Sequence, residues 1–188
     1  MQRIVAGITS LDQHEQVIAL TPDLYRPQVC PHCGANVLWA HGSYSRKADL
    51  CNRGEANRNP VPILRFCCAA CGRTCSRLPE CIAPHRWYNW MLQQTGLRSV
   101  LDPTAPTEAP IATPEAPAMP SCPTPTRRTL GRWHAWLQEK GADFRFHLTS
   151  RFSDLARVGD GVAFWLGVFD TLGLSSAMAC CGQEVAVP

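Results

Sequence analysis

Apolar positions along this chain fall into short runs broken by turn-forming residues, and only two longer stretches keep a helical period. Val17-Ile18-Ala19-Leu20, just ahead of Thr21-Pro22-Asp23, predicts a strand or a short helix. Val37 to Arg46 reads as strand, turn and strand, because Gly42-Ser43 separates two segments carrying aromatic and apolar residues. Residues 49–60 are polar and turn-rich, which predicts a surface loop. Val61-Pro62-Ile63-Leu64-Arg65-Phe66 predicts a returning strand. Pro62 has no N–H for the ladder, so that strand is expected at a sheet edge. Leu78-Pro79 and Ala83-Pro84 mark turns.

The first helical period covers residues 85–96. Its apolar positions 87, 88, 91 and 92 lie on one side, and Gly96 is the expected stop. The aromatic cluster here reads as core before it reads as a base-stacking platform. Residues 101–126 then hold eight of the chain's sixteen prolines. Such a segment tends to be extended and semi-stiff, so it is a linker or an insertion.

A second helix is predicted from Arg127. Thr126 suits the N-cap, Lys140 the last turn and Gly141 the C-terminal cap. Leu130, Trp133 and Leu137 share one face, while Arg128 and Arg132 share the opposite one. An apolar back with an arginine front suits either a helix lying in the major groove or an ordinary solvated basic face. Beyond it, Phe144, Phe146, Phe152 and Leu155, then Val162, Trp165, Phe169 and Leu172, predict small helices packing on the preceding one. Asp160 and Asp170 stand as isolated acids.

Composition adds a charge pattern. The chain has 188 residues and a formal charge of only +3. Yet residues 26–98 carry ten Lys/Arg against three Asp/Glu, and residues 127–157 carry seven against three. Two basic blocks around a neutral-to-acidic spacer fit two contacts with a polyanion, or else two solvated surfaces. The most apolar segment, Val162 to Leu174, is broken by Asp170 and is too short for a membrane span, so no membrane association is expected. Met1 to Val17 has no long apolar run behind a basic start, so no secretory signal peptide is expected. Eleven cysteines, an odd count, then fit a reducing cytosol with some of them on metal.

The candidate chemistry is Cys30-Pro31-His32-Cys33-Gly34, answered by Cys68-Ala69-Ala70-Cys71-Gly72. Each corner offers two thiolates from a tight turn. Four sulfurs on one Zn²⁺ make a closed tetrahedral site, structural because no position is left for water. Cys30, Cys33, Cys68 and Cys71 are therefore the expected zinc ligands. His32 within its corner, and Cys67 in place of Cys68, are lesser alternatives. A dithiol redox pair is the rival use of such a motif. Thirty-four residues separate Cys33 from Cys68, and the loop at 49–60 accounts for the length.

Cys30-Pro-His-Cys-Gly, then Trp39-Ala-His-Gly-Ser-Tyr-Ser-Arg46, then Val61 through Thr74 resembles the N-terminal zinc ribbon of bacterial insertion-sequence transposases and their accessory proteins. Cys75 stands where that family usually has Phe. Pro125 to Trp133 looks like the third helix of the helix-turn-helix that follows such ribbons. The resemblance implies an α+β fold: a small antiparallel zinc ribbon, then helices, with a helix-turn-helix-like C-terminal part. The expected division is a lead-in at 1–29, the ribbon at 30–81, a helix at 82–100, the Pro-rich linker at 101–126 and a helical DNA-binding-like region at 127–188.

The function implied is zinc-dependent binding of double-stranded DNA, at the ends of a mobile element or in regulating its transposition. Arg46, Lys47, Arg65, Arg73, Arg77, Arg127, Arg128 and Arg132 are the expected DNA contacts. Catalysis is not expected, because the Asp residues after the ribbon (102, 143, 154, 160 and 170) show no strand-helix pattern of a metal-holding acidic triad. A homodimer or a transposase is the expected protein partner, and the cytoplasm, at the nucleoid, the expected location. A protein-binding ribbon is the alternative, favoured if aromatic surface at Trp39 and Tyr44 lacks a basic rim. A thiol-redox protein ranks below it.

Overall fold

The structure is a computed structural model and describes residues 2–47, 60–84, 88–104 and 124–182. It is α+β, with one four-stranded sheet and five α-helices among the described residues. The strands are β1 (Gln2–Val5), β2 (Leu38–Arg46), β3 (Val61–Cys68) and β4 (Thr74–Pro79), in the order β1-β4-β3-β2. The helices are α1 (Leu11–Leu20), α2 (Trp90–Leu101), α3 (Arg127–Arg151), α4 (Val162–Thr171) and α5 (Gly173–Cys180). The loop expected at 49–60 and the Pro-rich segment fall largely outside the described residues.

The sheet departs from the sequence-based expectation in three ways. First, β2 is one strand and not two: its pairing with β3 runs from Leu38↔Cys68 to Arg46↔Val61, with a register shift between Ala40 and Ser43. A bulge absorbs the Gly42-Ser43 interruption without ending the strand. Second, β3 is interior and not an edge. Pro62 is tolerated because β4 pairs only with Arg65, Phe66 and Cys67, leaving the start of β3 to β2 alone. Third, the lead-in belongs to the sheet, since β1 pairs in parallel with β4 from Gln2↔Ser76 to Val5↔Pro79.

α1 opens on a capping box, well ahead of the Val17–Leu20 run from which a strand or short helix is expected. The Ser10 hydroxyl accepts from Gln13 N at 3.2 Å, and the Gln13 side chain reaches back to Ser10 N at 3.3 Å. α2 opens at Asn89, whose side chain caps Leu92 N, and it runs through Gly96; positions 85–87 of the expected helix lie outside the described residues. A Cβ on Gly96 would lie 2.6 Å from Leu130 Cδ2, so the glycine lets α2 approach α3 closely. α3 starts at the predicted cap, with the Thr126 hydroxyl accepting from Thr129 N, but it continues ten residues past Gly141 to Arg151. Burial of Trp133, Leu137, Phe144 and Leu148 along one face outweighs the roughly 1 kcal/mol that a mid-helix glycine costs.

The sheet has two packed faces. Phe66, Cys68 and Cys75 pack with Leu38, Tyr25, Ile8 and Cys30, whereas Val61, Ile63, Leu78 and Ile82 form a separate cluster. The helices build the largest core, around Phe144, Leu148, Phe164, Trp165, Val168 and Met178, and Ile4 of β1 joins it. Trp90 Nε1 and Ser175 Oγ both donate to Glu80 O, at 2.7 and 3.3 Å, which fastens α2 and α5 to the end of β4.

The two isolated acids have partners after all. Asp170 pairs with Arg98 at 2.5 Å, and Asp160 with Arg145 at 2.6 Å. Among the described residues no single helix is long and apolar enough to cross a membrane. The apolar pair α4–α5 bends by 101° at its break, and its large side chains enter the helical core.

Candidate metal centre

Cys30 and Cys33 sit on the connection into β2, and Cys68 and Cys71 at the turn between β3 and β4. The two corners repeat one backbone pattern. Gly34 N donates to Cys30 O and Gly72 N to Cys68 O, both at 2.9 Å; Cys30 N donates to Ala35 O and Cys68 N to Arg73 O, at 2.7 and 3.0 Å. Each corner closes on a glycine with positive φ, 75° at Gly34 and 68° at Gly72, a conformation most side chains resist. Ala69 N donates to Val37 O at 2.9 Å and ties the second corner to the chain leading out of the first.

The four sulfurs meet. Cys30 Sγ lies 3.7 Å from Cys71 Sγ, Cys33 Sγ lies 3.7 Å from Cys68 Sγ, and all four are within 4.8 Å of one another. A tetrahedral Zn²⁺ with Zn–S bonds of about 2.3 Å requires sulfurs about 3.8 Å apart. A disulfide would bring them to about 2.05 Å, so these are thiol pairs and not bonds. Four cysteines in this arrangement could hold one metal ion. Among the described residues no other three His, Cys, Asp or Glu side chains converge in this way.

The thiols shift in opposite directions. Burial works to raise the Cys30 thiol, but the His32 and Cys33 amides and the Cys68 and Cys71 thiols outweigh it and bring it down to about 7. At Cys33 the Ala35 amide works to lower the thiol, yet burial and the thiols of Cys71, Cys68 and Cys30 carry it up to about 12. The first thiolate in the cage takes its neighbours' S–H groups as donors, so a second thiolate is resisted. A dication removes that conflict by binding all four as thiolates, with release of protons. The alternatives lie off the cage: Cys67 Sγ is directed at Gly72 O, 3.7 Å away, and His32 reaches the cage through its backbone N–H, 3.4 Å from Cys30 Sγ. Cys75 is buried in the same cluster as Phe66 and Leu38.

The expected DNA contacts divide by exposure. Lys47, Arg73, Arg127, Arg128 and Arg132 are exposed, and Arg65 and Arg77 are half-buried. Burial, and then the charge of Arg3 opposite it in the ladder, lower the pKa of Arg77. Arg46 is a correction: it is only 4% exposed, and its Nη2 donates to Ala83 O and Pro84 O. Its guanidinium is committed to closing the chain after β4 and is not presented to a phosphate. Strand alternation carried the signal, since Arg46 shares a face with half-buried Tyr44. Trp39 stands out in the opposite sense, 67% exposed near the start of the edge strand β2.

The family model described as a domain of unknown function (DUF6431) matches residues 30–133, more than half of the 188 residues. The chain belongs to the DUF6431 family. The DUF6431 match begins on the first cysteine of the cage, contains all four and ends on Trp133 in α3, so it takes in the sheet's corners and the arginine-bearing start of that helix. No curated protein and no solved structure matches the chain.

Proposed function

We propose that this protein is a zinc ribbon followed by a helix-turn-helix-related helical part, which binds double-stranded DNA without catalysing a reaction on it. The insertion-sequence resemblance supplies the setting, the ends of a mobile element or the control of its transposition. The observation that carries the reading is one of sign. The four converging sulfurs lie in a strongly cationic stretch, since residues 26–98 carry ten Lys/Arg against three Asp/Glu, and Lys47, Arg65, Arg73 and Arg77 are exposed or half-buried among the described residues. A marked local excess of positive charge is the footprint of polyanion binding.

The second basic element is the start of α3, where Arg127, Arg128 and Arg132 are exposed on the first turns of a capped helix. Helix N-termini favour phosphate through unpaired N–H groups and the helix dipole. In this reading Zn²⁺ holds the corners together, Arg65, Arg73 and Lys47 contact phosphates, and Arg128 and Arg132 stand closest to the bases. The reading as non-catalytic is supported by Asp154, Asp160 and Asp170, each held in an ion pair with a separate arginine.

A protein-binding ribbon remains the second reading, because Trp39 is exposed. The basic residues Arg65 on β3 and Arg73 just before β4, and the half-burial of Tyr44, weigh against it. The deciding experiment is a gel shift with duplex DNA, repeated with a chelator and over a range of salt. Binding should vanish on chelation and weaken steeply with salt, with a log–log slope set by the number of phosphates contacted. Binding indifferent to both would end the proposal.

A further inference from the structure

Trp39 is the most exposed of the described tryptophans. The other described tryptophans, 90, 133, 136 and 165, are buried or half-buried in or against the helical core, whereas Trp39 keeps 67% of its surface open. Its place in the ladder shows what stands beside it. Trp39 is opposite Cys67, and Cys67 is opposite Thr74, so the three share one face of the sheet. Arg65, two residues before Cys67, is on that face too, and its Nη2 reaches Thr74 Oγ1 at 3.5 Å. Val37, 41% exposed, lies two residues before Trp39, beside exposed Ala69. The result is a flat indole bordered by small side chains, with an oriented guanidinium on the far side of Cys67, held toward Thr74, and the exposed Arg73 next to Thr74 along the chain.

Resting on the DNA-binding reading above, we infer that this face takes an unpaired DNA strand, with a base stacked on Trp39 and flanking phosphates on Arg65 and Arg73. A base inside a duplex has both of its faces covered by neighbours, so an indole takes either an unpaired base or the terminal pair of a duplex end, and a blunt duplex separates the two. The sign of the surroundings selects a polyanion over an apolar protein segment, since Arg65 and Arg73 flank the patch, and Asp23, which reaches toward Leu38 through Arg26, is itself paired with that arginine. Addition of a foreign strand to the edge of β2 is disfavoured, because the register shift between Ala40 and Ser43 interrupts its regular hydrogen-bonding edge. The two basic elements then have different tasks: α3 meets the duplex, and the sheet holds a strand that has come out of it.

The test uses the zinc-loaded full chain and three labelled probes: a short oligothymidylate, a blunt duplex, and the same duplex with a single-stranded tail. The tail should tighten binding, and Trp39→Ala should remove that gain, by between about five-fold and one-hundred-fold, the range one base–aromatic stack supplies. Trp39→Phe should retain most of it, and Trp39→Ala should bind the blunt duplex like the parent. A Trp39→Ala variant that binds the tailed duplex as tightly as the parent, or weakens all three probes alike, overturns the inference and leaves the DNA reading standing. So does a variant whose only change is loss of a self-associated form in sedimentation. Failure of the parent to bind any of the three probes refutes the DNA reading itself.

Discussion

His14 and Tyr25 form a buried pair, with Nδ1 of the ring 2.6 Å from the phenolic oxygen and each residue about 1% exposed. His14 Nε2 lies 2.9 Å from Pro62 O, and a carbonyl only accepts, so Nε2 carries the proton and Nδ1 accepts from the Tyr25 hydroxyl. The pair joins α1 to the turn at Pro22–Tyr25 and to the start of β3. Burial lowers the His14 pKa from its ordinary 6.5, against smaller opposing effects of the Pro62 carbonyl and Glu15. The folded chain therefore binds this proton less readily than the unfolded one. Stability from His14 is complete above the unfolded value near 6.5 and is lost as pH falls toward the lower folded value. Urea midpoints of parent and His14→Gln, measured from pH 7.5 to about 5, should differ in slope, with the parent falling more steeply in acid. Tyr25→Phe should cost about 1–3 kcal/mol at neutral pH, because it leaves Nδ1 buried without a donor.

The cysteine cage predicts a metal stoichiometry. Purified protein should carry one zinc per chain by elemental analysis, and Cys33→Ser or Cys71→Ser should lose it. Metal binding in small zinc modules supplies apparent free energies of about 10–16 kcal/mol, which is also folding energy. Chelation should thus broaden the amide spectrum of the sheet residues. α3, α4 and α5 rest on a separate core, so helical circular dichroism should persist more than the sheet signals do. Retention of a folded sheet in metal-free protein would show that the cage needs no cation.

Local features of the fold are legible along the chain, and long-range ones are not. The two corners can be read because each is a five-residue pattern whose glycine and cysteines act within a single turn. The cap at Thr126 is of the same kind, satisfied within three residues; those at Ser10 and Asn89 are equally local, but the apolar pattern alone does not locate them. Strand order is hidden, because β1 is only four residues long and its place beside β4 depends on pairing with residues such as Ser76, far along the chain. Gly96 and Gly141 read as stops because their penalty is local, whereas the packing that carries both helices through them is tertiary. Arg46 reads as a surface cation for a related reason. Its sequence neighbours are polar, and only the carbonyls of Ala83 and Pro84, brought close by the sheet, reveal that it is interior. Arg98 and Asp170, 72 residues apart, are the same case.

Two glycines at packed positions should respond differently to alanine. A Cβ on Gly182 would sit 2.5 Å from Ile4 O and 3.1 Å from Ile4 C, which are backbone atoms held in the sheet. Gly182→Ala should therefore destabilise by about 1–3 kcal/mol, the cost of overpacking a well-ordered contact. At Gly96 the clashing atom is the tip of half-buried Leu130, which can rotate. Alanine there regains up to about 1 kcal/mol of helix propensity, so the net change should be close to zero. Denaturant midpoints of the two variants, compared at one pH and zinc concentration, separate the cases. Equal losses would mean that α2 and α3 are packed too tightly for Leu130 to move.

The arginines offer a last separation, between folding and binding. Arg46→Gln removes the donor from two buried carbonyls, so it should lower stability by about 1–3 kcal/mol through unsatisfied acceptors. The Arg46→Gln protein that remains folded should bind duplex DNA with the parent's salt dependence. Arg128→Gln and Arg132→Gln should do the reverse. Both side chains are exposed, so stability should hardly change, while removing a cation from a phosphate should reduce the salt slope by about one. If either arginine instead reads a base edge, its replacement would weaken discrimination between DNA sequences at constant slope. Thermal unfolding and salt-dependent anisotropy on the same three preparations therefore assign each arginine independently. If Arg46→Gln alters the slope and the α3 variants do not, the basic face that meets DNA lies on the sheet and not on the helix.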